Sequence, residues 1–515
     1  MAVAAFSLYR STLLPGLDLG DTASLQVVGG EPVISPRDGY PLYFALGRLA
    51  VWADGDRAHG MNLASAVAAA IACGFAVLVG AELSGSVLAG AAAAALFAGS
   101  YTFWSQAIIA EVYALHMLLV ALTLWLLLRW DKAPSLGNLA WFLAACAIGF
   151  GNHLSMVLLL PAYALFLLMS APQDWRSVIR WRVVALATAL AAAGALQYGW
   201  NLHALWLEQT PPPSLSAAAR TFWFDVTKSD WRESMVLRIP PAAYGERLRM
   251  YAFDLRQQFG WAGPLLAVCG LWHLLRTVQR RAWLMVIAFL VNLAFALSYN
   301  VGDTHVFLLP SHLIVALLAA PGLIWLDGLL RGRGIVILLA IVLAGGRIYR
   351  DYPALDRSGD TRPTDLLGSI TAGLDDRHAV LLSDLNWQIQ NGLVYYGRQV
   401  RPDVAFVVLS DVLLYAPALV ADNLAIGRAV AVTERAKEVL DRAYGPLFQS
   451  VPDSRVPALP LADAVRDRHR QPIDEQLVGI DGAAAHLRNF AHIDVAAIEV
   501  GVEQAQAESR LRAVL

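Results

Sequence analysis

The chain has 515 residues, 57% of them hydrophobic and only 16% charged, whereas a soluble protein carries about 25% charged residues. Its net charge of −2 excludes the basic footprint of a nucleic-acid-binding protein. The three cysteines, Cys73, Cys146 and Cys269, lie inside apolar runs and supply neither a CxxC pair nor a disulfide framework.

In chain order, Met1–Leu14 is apolar but interrupted by Arg10, and is too short to cross a bilayer. It reads as the tail of a first span that begins upstream. Ten further apolar stretches follow, near 61–83, 87–103, 106–128, 137–151, 153–170, 183–200, 260–276, 283–300, 306–327 and 335–350. The expected architecture is therefore mainly α. A polytopic helical membrane domain of about 11 spans covers 1–350, and a small α/β domain covers 351–515. Within that last domain Ala379–Ser383, Val404–Leu409 and Ala429–Thr433 have the short β-branched character of buried strands, with a helix over Asn386–Tyr396.

Alternate turns carry the basic residues: Arg129 and Lys132; Arg176, Arg180 and Arg182; Arg276, Arg280 and Arg281; Arg331 and Arg333. The positive-inside rule places these in the cytoplasm. It sends the loop 15–60, the loop 201–259 and the C-terminal domain to the outside, with Arg347 and Arg350 as exceptions at an outer end. The loop 201–259 holds Pro211-Pro212-Pro213 and the aromatics Trp206, Phe222, Trp223, Phe224 and Trp231. It reads equally as an interfacial segment or as a loop packed on the helices. The chain is expected to be an integral protein of a bacterial inner membrane.

Four polar landmarks then fall on the outer face: Asp21, Glu111, His153 and Asp303. Acids near a bilayer are costly and mark functional pathways more often than packing. Asp18 and Asp21 flank Gly20, which fits either a presented general base or ordinary turn chemistry. Glu111 is expected about five residues into a span, roughly 7 Å below the rim, on one helix face with Trp104 and near Gln106, Tyr113 and His116. Gly151-Asn152-His153 and the turn Asn300–His305 suit substrate binding or tight helix connections alike. Arg37 could meet a phosphate or simply pair with Asp38. Asp54-Gly55-Asp56 imitates a DxD motif but is turn-like, and no GxGxxG or GxSxG motif points to nucleotide binding or hydrolysis. No segment has metal-ligand spacing.

The stretches PGLDLGD (15–21), GYPLYFALGRL (39–49), FWSQAIIAEVYALH (103–116), GNHLS (151–155) and DTHVFLLPS (303–311), with a weaker LVYYGRQVRPDV (393–404), together resemble a family of GT-C-type membrane glycosyltransferases of bacteria and animals. Its animal members are transmembrane protein O-mannosyltransferases. The resemblance implies a GT-C-like membrane domain and a polyprenyl-phosphate sugar as donor substrate. It also implies a protein or glycan acceptor and an extracytoplasmic site, with no certain cofactor and a divalent metal possible.

Asp21 occupies the position of the family's loop aspartate, and Glu111, His153 and Asp303 match further family positions. The family's glutamate three residues after the aspartate is Ser24 here, and the His-Pro before Gly-Tyr-Pro is replaced by Arg37-Asp38. Asp38 is a candidate substitute for the lost carboxylate; a changed substrate or lost activity is the other reading. The expected catalytic set is Asp21, Asp38 and Glu111. The expected substrate-binding set is Arg37, Tyr40, Gln106, Tyr113, His116, Asn152, His153, Asp303 and His305. The competing readings of the whole chain are a transporter or lipid flippase, and a non-catalytic membrane scaffold.

Overall fold

Each apolar stretch of the sequence becomes helix, and short polar residues set where the helices begin. In the computed structural model Asp56 caps the helix Arg57–Ser84, its carboxylate accepting the His59 N–H at 2.7 Å. Ser86 caps Val87–Ala98 in the same way. A side-chain oxygen at this position satisfies one of the orphan donors of the first turn. Asp54 bonds the His59 ring at 2.8 Å, so both acids of the DxD-like triplet are engaged by His59, one as a cap and one as a side-chain partner. The structure describes residues 1–172, 174–209, 211–227, 229–374 and 379–444. The expected domain from 351 therefore has its part beyond 444 outside the described residues, as does the side chain of Trp231.

The chain forms two compact units. The first comprises Met1–Gly16 and Val28–Asp360; the second comprises Leu17–Val27 and the chain from Thr361 onward. This differs from the simple division at 350 expected from composition, because a piece of the first loop is counted with the C-terminal unit. Hydropathy cannot assign an eleven-residue polar loop segment to a distant partner.

Among the described residues of the first unit, five helices are long and apolar enough to cross a membrane: Arg57–Ser84, Val112–Lys132, Trp181–Glu208, Gln279–Ser298 and Leu309–Leu329. Val87–Ala98 and Tyr101–Ala107 form a pair bent by 74° that could make a sixth. The other expected spans fold as shorter helices, including Leu136–Phe150 and Ala262–Thr277, or carry more charge, as does Ile335–Leu355. Helices pack closely where glycines face each other. A Cβ on Gly270 would sit 1.8 Å from the Leu318 carbonyl oxygen, and one on Gly322 would sit 2.1 Å from that of Leu266. Small residues of this kind let apolar helices approach in a bilayer, where water supplies no hydrophobic drive.

At one end of this unit Asp131, its side chain 1% exposed, is held by Arg280 at 2.8 Å and Arg281 at 3.1 Å. Arg281 also donates to the Glu82 carbonyl at 2.6 Å. These contacts tie the ends of three apolar helices. Arg347 and Arg350, the exceptions to the charge rule, flank Asp351 at 3.7 and 2.8 Å, so their charge is partly balanced locally. The loop 201–259 is mostly helical, with Leu215–Val226 and Tyr244–Phe259 as its longest new elements. Phe222 packs edge-on to Tyr198, while Trp223 is 65% exposed.

The second unit has a three-stranded parallel sheet of Val380–Ser383, Ala405–Val408 and Val430–Val432, with Val380–Ser383 central. The helix Trp387–Gln399 links the first two strands in sequence, as a parallel pair requires a crossover. Asn391 donates to the Gly20 carbonyl at 3.1 Å, and a Cβ on Gly392 would meet Leu19 at 2.6 Å. The short helix Gly20–Val28 thus has its start seated on Trp387–Gln399.

Candidate functional site

The helix Val112–Lys132 organises the site from its N-terminal end. Tyr113 and His116, three residues apart, lie on one helix face, and both rings reach His153, at 6.0 and 5.2 Å between centroids. Tyr40 stacks on the same imidazole at 5.8 Å with an interplanar angle of 12°. Phe307 adds a further wall at 6.3 Å, and Tyr299 packs edge-on to Phe307 at 4.9 Å. Three stretches distant from one another in sequence, with Tyr40 and Phe307 267 positions apart, therefore meet around His153.

Backbone bonds fix this meeting. The Leu42 N–H donates to the Gly151 carbonyl at 2.8 Å. Asn152, fully buried, donates to the Val112 carbonyl at 3.2 Å. Asn201 donates to the carbonyls of Ser35, at 2.9 Å, and Gly39, at 3.4 Å. Gly151 leaves room for the Gln197 amide: a Cβ there would lie 2.1 Å from Gln197 Oε1, and Gln197 would have to move. Tyr40 itself has φ of 48°, a left-handed conformation that a bulky residue adopts at a cost. The residue before a proline also normally prefers extended backbone. Such strain persists where surrounding structure over-determines it, and it clusters at functional sites.

Glu111 differs from its expected position. It lies in an extended break, φ −145° and ψ 147°, as the residue before the helix Val112–Lys132. The helix carrying Trp104 and Gln106 ends at Ala107, so Trp104 and Glu111 do not share a helix face. The reason is local: Ser65 bonds both the N–H and the carbonyl of Glu111, at 3.2 and 3.3 Å, which satisfies groups that a continuous helix would have used. Burial pushes the pKa of the Tyr43 hydroxyl above the ordinary phenol value, the Glu111 charge pushes it further, and Ser65 opposes them. Gln106 is buried.

The Arg37 guanidinium bonds Asp230 at 2.8 Å and lies 3.7 Å from Asp225, both in the loop 201–259. Asp38 accepts the Ser35 N–H at 3.1 Å, closing the turn before Gly39. Asp303 is exposed; burial, then Tyr40 and then Asp303 push the Tyr299 phenol up to about 12. His305 is exposed on the same turn. Asp21 lies in the first turn of Gly20–Val28, where a carboxylate faces the positive end of the helix, and it belongs to the second unit. No group of three or more metal-binding side chains occurs among the described residues.

Other polar groups around this turn gave little sequence signal. Asp254 and Gln258, four apart on Tyr244–Phe259, face inward. Gln258 bonds Asp254 at 2.9 Å and the Thr102 hydroxyl at 2.6 Å. Asp254 Oδ2 lies 2.8 Å from Nε2 of His312, which is fully buried. Burial pushes the Asp254 carboxyl up, but His312, Gln258 and, more weakly, His305 outweigh it and hold it below the ordinary carboxylate range. Arg247 donates to the Thr304 hydroxyl, next to Asp303. The i, i+4 spacing of Asp254 and Gln258 was the one available hint; His312 looks like any polar residue in an apolar run.

Residues 35–176 match the family described as the protein O-mannosyl-transferase TMEM260 N-terminal domain. The mouse (Mus musculus) protein O-mannosyl-transferase TMEM260 is 25% identical over 444 residues, covering 78% of this chain and 61% of the mouse protein. The chain thus spans about three fifths of that relative's length. The crystal structure of ArnT from Cupriavidus metallidurans in the apo state superimposes with a TM-score of 0.59 at 14% identity, covering 92% of this chain and 98% of that one. This chain is related to the animal transmembrane protein O-mannosyltransferases. Its fold is GT-C-like, a polytopic helical membrane unit with a small α/β unit. The matched region 35–176 contains Tyr40, Gln106, Glu111, Tyr113, His116, Asn152 and His153. Asp21 and Asp303 lie outside it.

Proposed function

We propose that the chain is a membrane glycosyltransferase moving a sugar, of the mannosyl or another hexosyl type, from a polyprenyl-phosphate donor to an acceptor hydroxyl on a protein or glycan at the extracytoplasmic face. The observation that carries this reading is the convergence of Tyr40, Tyr113, His116 and Phe307 on His153. Aromatic walls with a few fixed polar groups are the usual lining of a site for a small organic ligand. The relative's name supplies the reaction class.

The location at the outer face rests on charge. The Asp131–Arg280–Arg281 knot and His153's neighbours occupy opposite ends of Val112–Lys132, about 30 Å apart for 21 residues. With the basic end cytoplasmic, the aromatic end and both exported loops face outward, in a bacterial inner membrane. In the proposed reaction Asp21 takes the proton of the acceptor hydroxyl, which attacks the anomeric carbon, and the polyprenyl phosphate leaves. Glu111 and Asp38 supply further negative groups near the acceptor; Arg37, Asn152, Asp303 and His305 contribute to binding.

The test is transfer from a radiolabelled polyprenyl-phosphate mannose by the purified chain in liposomes, with extracted envelope proteins and glycans as acceptors. A new glycosidic product that Asp21→Asn abolishes is the expected result. A wild-type chain that consumes no lipid-linked sugar overturns the reading. Full-rate transfer by Asp21→Asn overturns the role of that residue.

A further inference from the structure

The turn bearing His153 also decides which of its nitrogens carries the proton. His153 precedes the short 3₁₀ helix Leu154–Leu159 and caps it: the Ser155 backbone N–H donates to His153 Nδ1 at 3.2 Å. A ring nitrogen that accepts an N–H presents its lone pair, so in the neutral imidazole the proton sits on Nε2. The Ser155 hydroxyl lies 2.6 Å from the same Nδ1 and 3.1 Å from Nε2 of His116. A hydroxyl between two imidazoles has one proton to give. Since His153 Nδ1 is already an acceptor, the hydroxyl donates there and receives the Nε2–H of His116.

The far side of His116 agrees with this polarity. His116 is 3% exposed, and its Nδ1 is buried with no hydrogen-bond partner among the described residues. In the order just given that atom is a bare lone pair. In the reverse order it would be a buried N–H with nothing to bond, the rarer and costlier orphan. Both ends of the chain of bonds therefore point the same way. A proton on Nδ1 of His153 would break the helix cap and force the Ser155 hydroxyl bond into the reverse order.

We propose that Ser155 and His116 are positioning residues that hold His153 as a neutral imidazole protonated on Nε2. In this state His153 serves the lipid-linked donor as a hydrogen-bond donor to a phosphate oxygen and not as a general base. The second half of this statement rests on the transferase reading above. A donor fixed before reaction stabilises charge that grows on the departing phosphate without reorganising. The general-base role stays with a carboxylate, and no net proton transfer through His153 is required.

Two measurements test this. The first needs no turnover: ¹⁵N NMR of the full chain labelled at its imidazoles, with His153→Gln and His116→Gln identifying the two resonance sets. His153 should show an unprotonated Nδ1 and a protonated Nε2 at neutral pH. Ser155→Ala keeps the backbone cap, so that pattern should persist while the His116 Nε2 resonance shifts; Ser155→Thr should restore it. A protonated Nδ1 on His153 overturns the proposal whatever the activity. The second is transfer from polyprenyl-phosphate mannose. His153→Gln, whose amide N–H can replace the Nε2 donor, should retain at least tenfold more kcat than His153→Ala. Ser155→Ala should lower kcat about tenfold, the worth of one hydrogen bond, with Ser155→Thr recovering most of it. Equal inactivity of His153→Gln and His153→Ala overturns the donor role. If the wild-type chain transfers nothing, the transferase reading fails, and the NMR result still decides the tautomer.

Discussion

Gly151→Ala isolates the packing that seats the His153 turn. Gly151 has φ of −72° and ψ of −11°, so alanine suits the backbone and any penalty is steric. The new Cβ would lie 2.1 Å from Gln197 Oε1 and 2.6 Å from its Cδ, so Gln197 must move. Its amide would leave two bonds, to the carbonyls of Ala147 at 3.2 Å and Gly194 at 3.0 Å. At roughly 0.5–1.5 kcal/mol each, the loss is about 1–3 kcal/mol. Gln197→Ala alone should cost about the same, because it removes the same bonds. The double variant should cost no more than Gln197→Ala, since the obstacle is gone. Denaturant unfolding in detergent measures all three, and the coupling between the sites should approach the full single-mutant loss. Wild-type stability in Gly151→Ala would refute the steric argument. So would a Gly151→Ala penalty that stayed the same after Gln197 was removed.

Three further outcomes follow from named contacts. Gly270→Ala places a Cβ against a backbone carbonyl that cannot rotate away, so the two helices must separate. A loss of about 1–3 kcal/mol or more in unfolding experiments is expected, with Gly137→Ala, which has open space, as the neutral control. Tyr40→Gly relieves a strained conformation worth roughly 1–3 kcal/mol but removes the ring over His153; thermal stability should hold while transfer falls, whereas Tyr40→Ala should lose both. Asp254→Asn should destabilise the chain near neutral pH. The Asp254 carboxyl is held below its ordinary range, so its ionised form contributes stability that is complete above the unfolded value of about 4 and is lost as pH falls through the lower folded value. The gap between wild type and Asp254→Asn in denaturant midpoint should therefore close on acidification, and a gap independent of pH would show that the charge is not what matters.

The sequence by itself determined the helices and their two faces. Apolar runs must hide backbone polar groups as helix, and basic residues at alternate turns separate the Asp131 end from the His153 end. The strands at Val380–Ser383, Ala405–Val408 and Val430–Val432 were legible because β-branched runs bounded by polar turns have few other solutions. Candidates such as Tyr40, Tyr113, His116 and His153 were legible from resemblance, since each lies in a matching stretch. Only the tertiary structure decided how these were joined. Glu111 left its helix because Ser65, forty-six positions away, took its backbone bonds. Arg37 reached Asp230, far along the chain, and the start of the helix of Asp21 fell within the C-terminal unit. Ser155 and Asp254 gained importance through partners that spacing along the chain does not reveal. Helix and strand follow from periodic burial, which is local, whereas a hydrogen bond or ion pair selects one partner among many equally polar ones, and that choice is made only when the chain has folded.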